Sequence, residues 1–254
     1  MRAPAVSGRF YPAVPAQLER TVRELLDAAA GARPAPARAA VAPHAGYLYS
    51  GLTAAHVFAR LEIPPLVVIL APNHTGVCRA RGGASLWEAG AFRTPLGDVG
   101  VDEEFARALV AASPLVGADH AAHTGEHAVE VELPFLQLRR ADVRIVPLVL
   151  AWDAWEGCRE LGEALAGLVG RWPQPVLLLA SSDLITMSPP PSPSARTGGR
   201  SMRSPPSTAR SCSLAAATTQ SRCAAVRPPP PCSSRRGRSG PGRPRWCITA
   251  TPAW

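Results

Sequence analysis

The sequence predicts an α/β protein over residues 1–184, with a largely parallel central sheet covered by helices on both faces, followed by a basic tail over 185–254. Three observations predict it. Short runs rich in Val, Ile and Leu lack strict alternation, as strands buried on both faces do. Segments with apolar residues at helical spacing stand between those runs. The composition then breaks: all 19 acidic residues lie at or before Asp183 beside 16 of the 27 arginines, so the head is near −3 and the tail +11. Hydrophobic periodicity stops at the same place, which makes residues 1–184 one domain and 185–254 a Pro/Ser/Arg-rich appendage.

Residues 15–30 carry Leu18, Val22, Leu25 and Leu26 at helical spacing, and a Pro/Ala/Arg loop leads from them into a short strand over 38–42. Further strands are predicted at 66–71, 143–150 and 176–180, with helices at 51–60, 102–112, 126–139 and 155–169. Three of the strands run into polar motifs. Strand 38–42 meets Pro43-His44-Ala45-Gly46-Tyr47, strand 66–71 meets Pro72-Asn73-His74-Thr75-Gly76, and strand 176–180 meets Ser181-Ser182-Asp183. Ligand crevices of open α/β sheets lie at the carboxyl ends of strands, so these motifs are expected to converge.

Several classes are excluded. No GxSxG elbow, P-loop or GxGxxG is present, which removes support for a serine hydrolase, a P-loop NTPase or a Rossmann dehydrogenase. Cys78 and Cys158 are far apart and none of the six cysteines forms a CxxC pair, so no disulfide framework or zinc knuckle is expected. Residues 1–12 lack the apolar run of a signal peptide and the longest apolar runs are strand-sized, giving the expectation of a cytoplasmic protein.

Imidazole binds iron, copper or zinc, and two histidines with open coordination positions beside them suit a metal that also meets a substrate. His44 and His74 are the candidate metal ligands, each followed by a glycine that lets the backbone turn away. A further cluster, Glu126-His127, opens the segment 126–136, where Glu126 also suits the positive end of a helix. His127 reads as an acid/base group or as support for a ligand, with Asp183 and Glu126 lining the cleft. Glu130 and Glu132 read as solvated helix charges, His56, His120 and His123 as bystanders, and Ser181 and Ser182 as groups that satisfy the backbone.

These motifs resemble one family, the Memo-like proteins, called AmmeMemoRadiSam system protein B in bacteria and archaea. The matching pieces are 2–12 (RAPAVSGRFYP), 43–51 (PHAGYLYSG), 72–76 (PNHTG), 92–102 (FRTPLGDVGVD), 126–136 (EHAVEVELPFL) and 181–183 (SSD), in order across the whole head. The resemblance implies the fold of class III extradiol dioxygenases, whose members use non-haem iron. It implies His44 and His74 as ligands, completed by a later cysteine, and an iron- or copper-dependent oxidoreductase or dioxygenase-like role. It also implies a radical-SAM protein and an AMMECR-type protein as partners. A non-enzymatic module that binds a peptide or partner in the same cleft is the alternative.

After Leu184 the chain departs from the family, which continues His-Tyr-Glu-Pro and later has a Cys-Gly motif. Codons compatible with Ile185-Thr186-Met187-Ser188-Pro189, read from the third nucleotide of each, give His-Tyr-Glu-Pro. The same shift turns Arg222-Cys223-Ala224-Ala225-Val226 into Met-Cys-Gly-Gly and residues 246–251 into Val-His-Tyr-Gly-Asp. A single-base frameshift near codon 185 is therefore expected, with a disordered tail, Cys223 near a ligand position by accident of frame, and a non-functional product as a further reading. A nucleic-acid arm is disfavoured, because no aromatic residues organise the tail arginines.

Overall fold

The computed structural model describes residues 1–31 and 33–183. Its strands are β1 (Ala35–Pro36), β2 (Ala39–Ala42), β3 (Leu61–Glu62), β4 (Leu66–Pro72), β5 (Ala84–Leu86), β6 (Ala91–Thr94), β7 (Gly97–Gly100), β8 (Val116–Ala118), β9 (Arg144–Leu150) and β10 (Val176–Ser181). Its helices are α1 (Pro15–Ala28), α2 (Tyr47–Arg60), α3 (Glu103–Ala112), α4 (His120–Thr124), α5 (Leu133–Arg139) and α6 (Trp155–Arg171), with a 3-10 turn at Glu130–Glu132. The expected tail, its shifted frame and the position of Cys223 lie outside the described residues.

Six strands form the main sheet in the order β2-β10-β4-β9-β5-β8. The first four are mutually parallel, and β5 runs antiparallel to β9. Both faces of β4 are covered, which is why its sequence is a continuous apolar run. Val67, Ile69 and Ala71 enter the core beneath α1, α2 and α5, while Leu66, Val68 and Leu70 enter the core beneath α3 and α6. The predicted α/β class with a mostly parallel, helix-covered sheet is observed. Among the described residues no helix is long and apolar enough to cross a membrane.

Three predicted details need correction. The helix expected over 126–139 exists only from Leu133 onward, after the 3-10 turn. Glu126 takes the backbone N–H groups of His127 and Ala128 on its own carboxylate, and Pro134 suits a first helical turn. Glu130 and Glu132 are fully buried rather than solvated. Glu130 is compensated by the N-terminal segment: it pairs with Arg2 and accepts from the Ala5 and Val6 amides and the Tyr11 hydroxyl. Finally, α2 begins at Tyr47 rather than at 51, and the short strands β5 to β8 had no predicted counterpart.

The candidate metal centre

Because β2, β10 and β4 are adjacent and parallel, their carboxyl ends share one edge of the sheet. The residues that follow them, His44, Asp183 and His74, are thereby drawn to one place. A fourth segment, 125–129 between α4 and the 3-10 turn, brings Glu126 and His127 in from the side. The ring centroids of His44 and His74 lie 5.1 Å apart, those of His74 and His127 4.6 Å, and those of His44 and His127 5.5 Å. One nitrogen from each ring lies within 4.8 Å of the others.

Each ring is held by a different device. Asp183 Oδ1 accepts the backbone N–H groups of His44 and Ala45 at 2.8 and 3.1 Å, tying the end of β2 to the end of β10. His44 Nδ1 meets Ser181 Oγ at 2.8 Å, which leaves Nε2 toward the cleft, 3.8 Å from Asp183 Oδ2. Glu126 accepts the His74 amide at 2.6 Å and pairs with His74 Nδ1 at 2.9 Å. His127 Nδ1 lies 3.3 Å from the same carboxylate oxygen, and the Phe10 ring packs edge-on against the imidazole at 4.8 Å.

The electrostatics follow from these contacts. Burial pushes the His44 imidazole down to about 4, against the pull of Asp183, so it is neutral at physiological pH with a lone pair to offer. Burial likewise lowers His127, although Glu126 opposes it. His74 is raised by its hydrogen bond to Glu126. Burial alone would raise Glu126, but the hydrogen bonds from His74 and the Ala128 amide outweigh it and hold the carboxylate at about 2.

The donor set fits a divalent transition metal: three imidazoles, two of them kept neutral, each oriented through its second nitrogen or its neighbours. Metal–nitrogen bonds of about 2.0–2.1 Å require the three nitrogens to draw closer together than they stand here. Of the residues singled out from sequence, His44, His74, Glu126, His127 and Asp183 come together. His56 is exposed and bonded to Arg60, and His120 pairs with Glu88 and stacks on Trp87. His123 is buried with Nε2 on the Ser85 carbonyl, away from the cluster. Sequence reasoning missed the parts played by Ser181 behind His44, Glu132 behind Ser181, and Arg2 behind segment 123–130. The Arg2 side chain donates to the His123 and Glu126 carbonyls as well as to Glu130.

A parallel α/β sheet with an imidazole cluster at its carboxyl edge defines a class of cleft protein with a metal-capable centre. Similarity narrows this further. The family described as Memo-like protein matches residues 2–197, and the chain belongs to that family. It is 38% identical over 199 residues to a MEMO1 family protein of Methanothermobacter thermautotrophicus, covering 74% of this chain and 71% of that one. It is 39% identical over 200 residues to one of Methanopyrus kandleri (74% and 70% covered), and 40% identical over 190 residues to one of Methanosarcina barkeri (74% and 69%).

Proposed function

We propose that this Memo-like protein binds one iron or copper ion in the cleft through His44, His74 and His127, and acts there as a metal-dependent oxidoreductase on an unidentified small substrate. The observation that carries the reading is the approach of three imidazole nitrogens to within 4.8 Å at the carboxyl edge of the sheet. When bound, the metal supplies Lewis acidity and one-electron chemistry at positions the protein leaves open.

The chain supplies the rest. Asp183 is anchored by two backbone amides through Oδ1, and its Oδ2, 3.8 Å from His44 Nε2, stands where it can hold a proton from a substrate lying over His44. Glu126 fixes the backbone and side chain of His74 at once, and Phe10 closes the far side of His127 with an apolar ring. A cytoplasmic setting, with a radical-SAM protein and an AMMECR-type protein as partners, extends the proposal on the strength of the family resemblance.

The test is metal content by elemental analysis, after loading with Fe(II) or Cu(II) and dialysis, of wild type, His44→Ala, His74→Ala, His127→Ala and a His56→Ala control. The first two variants are expected to lose most of the metal and the control none. His127→Ala is expected to lose metal as well; retention would remove His127 from the ligand set. Equal metal in all five would overturn the proposal.

A second reading has its own observation. Leu48 and Tyr49, on the first turn of α2 beside His44, are 89% and 83% exposed, which suits a cleft rim that docks a peptide or partner. Partner binding that survives removal of both His44 and His74 would favour this module over the enzyme.

A further inference from the structure

Glu132 is fully buried and is not among the proposed metal ligands. Its Oε1 lies 2.8 Å from Ser181 Oγ, while Oε2 has no hydrogen-bond partner among the described residues. The same Ser181 Oγ lies 2.7 Å from the Ala128 carbonyl and 2.8 Å from His44 Nδ1. A serine hydroxyl has one proton to donate and two lone pairs to accept with. The Ala128 carbonyl can only accept.

With an ionised Glu132, two acceptors compete for one serine proton, and one of two close oxygen–oxygen contacts has no hydrogen between its atoms. With a neutral Glu132 every contact is satisfied. The acid donates to Ser181, Ser181 donates to Ala128 O, and His44 Nδ1–H donates to the second serine lone pair. No other distribution serves all three.

We infer that Glu132 is a neutral carboxylic acid and a positioning residue, which acts through Ser181 to hold His44 as the Nδ1–H tautomer with the Nε2 lone pair turned to the cleft. The inference rests on the proposed role of His44 only for its consequence, not for its geometry.

The surroundings agree. An unpartnered carboxyl oxygen in a fully buried site is far less costly on a neutral acid than on an anion. Burial first, and then the like charge of Asp183, pushes Glu132 up to about 8. Tyr47, on α2, is the other titratable group with influence here, and its hydroxyl is already donated to the Val131 carbonyl at 2.9 Å. A hydrogen bond to the nitrogen that does not bind metal is the usual means of fixing a ligand imidazole, and its removal typically costs 10–100-fold in metal affinity.

Two spectroscopic measurements and one titration test this on the full chain. In the metal-free protein near neutral pH, the infrared C=O stretch of a protonated carboxyl should be present in wild type and lost in Glu132→Gln. Long-range 1H–15N spectra of histidine-labelled protein should show His44 with its proton on Nδ1 in wild type. Glu132→Leu should lose that single tautomer, and Glu132→Gln, whose amide also donates, should restore it. Ser181→Ala makes the same comparison with a smaller change if Glu132→Leu does not fold. Cobalt(II) affinity should fall about tenfold or more in Glu132→Leu and recover in Glu132→Gln. Absence of the carboxyl band in wild type, or a proton on His44 Nε2, would overturn the inference. A wild type with the expected tautomer that binds neither iron, copper nor cobalt would sink the metal proposal and leave this one standing.

Discussion

His44 and His74 end neighbouring segments of the same cleft, yet the protein holds them by opposite means. The His44 residue is only 2% exposed and its bracing runs inward, through Ser181, to a buried carboxyl. The His74 side chain is 42% exposed and is braced by Glu126, a carboxylate held near its ionised limit by donors on every side. The His44 side is neutral and preset; the His74 side rests on an ionised carboxylate and faces water. The difference teaches that a strand end can present the same ring either as a fixed lone pair or as a ring whose protonated form a neighbouring carboxylate favours, depending on what stands behind it.

The largest effect should come from unseating the support of the charged side. Arg2 donates to Glu130 and to the carbonyls of the segment that carries Glu126 and His127, and both members of the ion pair are buried. Arg2→Met would strand the Glu130 charge in the core. Breaking a buried pair in this way costs about 3–5 kcal/mol. Urea unfolding followed by circular dichroism should show a loss of that order, and a loss below about 1 kcal/mol would mean that Tyr11 and the Ala5 and Val6 amides suffice alone.

A smaller effect should separate the two histidines directly. Glu126→Gln removes the charge that raises His74 while leaving an oxygen to accept its amide, so the His74 imidazole should titrate at lower pH. His44, lowered chiefly by its own burial, should keep its depressed value. Titration of the ring protons by NMR reads both at once. A shift of His44 as large as that of His74 would show that the two sides are not independently braced.

The two sides also differed in how far the sequence disclosed them. The strands β4, β9 and β10 are legible because burial on both faces leaves an unbroken apolar run; His74 is legible because it follows β4, and His44 because it follows the short apolar strand β2. Glu130 and Glu132 were not, because acidic residues in a helix-like pattern read as solvent-facing. What compensates them lies more than a hundred positions away at Arg2 and Tyr11, or 49 positions away at Ser181, and leaves no local mark. The same holds for 126–129, where Glu126 spends its carboxylate on backbone amides and forestalls the helix that its neighbours favour. Strands β5 to β8 are three or four residues long and rich in small residues, too short for periodicity to register.

The last effect is a slope with pH rather than a loss at one pH, and it tests the neutral side. Glu132 carries a folded-state value near 8 against 4.5 for the unexceptional carboxyl, so the folded protein binds its proton more tightly than the unfolded chain. The stability this contributes is fully present below about pH 4.5 and is lost as pH rises through about 8. His74, also raised, acts in the same direction over part of that window. His44 and His123, both lowered to about 4 by burial, act oppositely: their contribution is present above about pH 6.5 and is lost as pH falls through 4. Wild-type stability alone therefore mixes several slopes, and only the difference between wild type and Glu132→Gln isolates the one carboxyl. Denaturant unfolding of both proteins in the presence of a chelator, at half-unit steps from about pH 5 to 9, should show wild type losing stability relative to the variant as pH rises. Parallel curves would mean that Glu132 is ionised in the folded chain as in the unfolded one across this range, and the neutral-acid bracing of His44 would then fall.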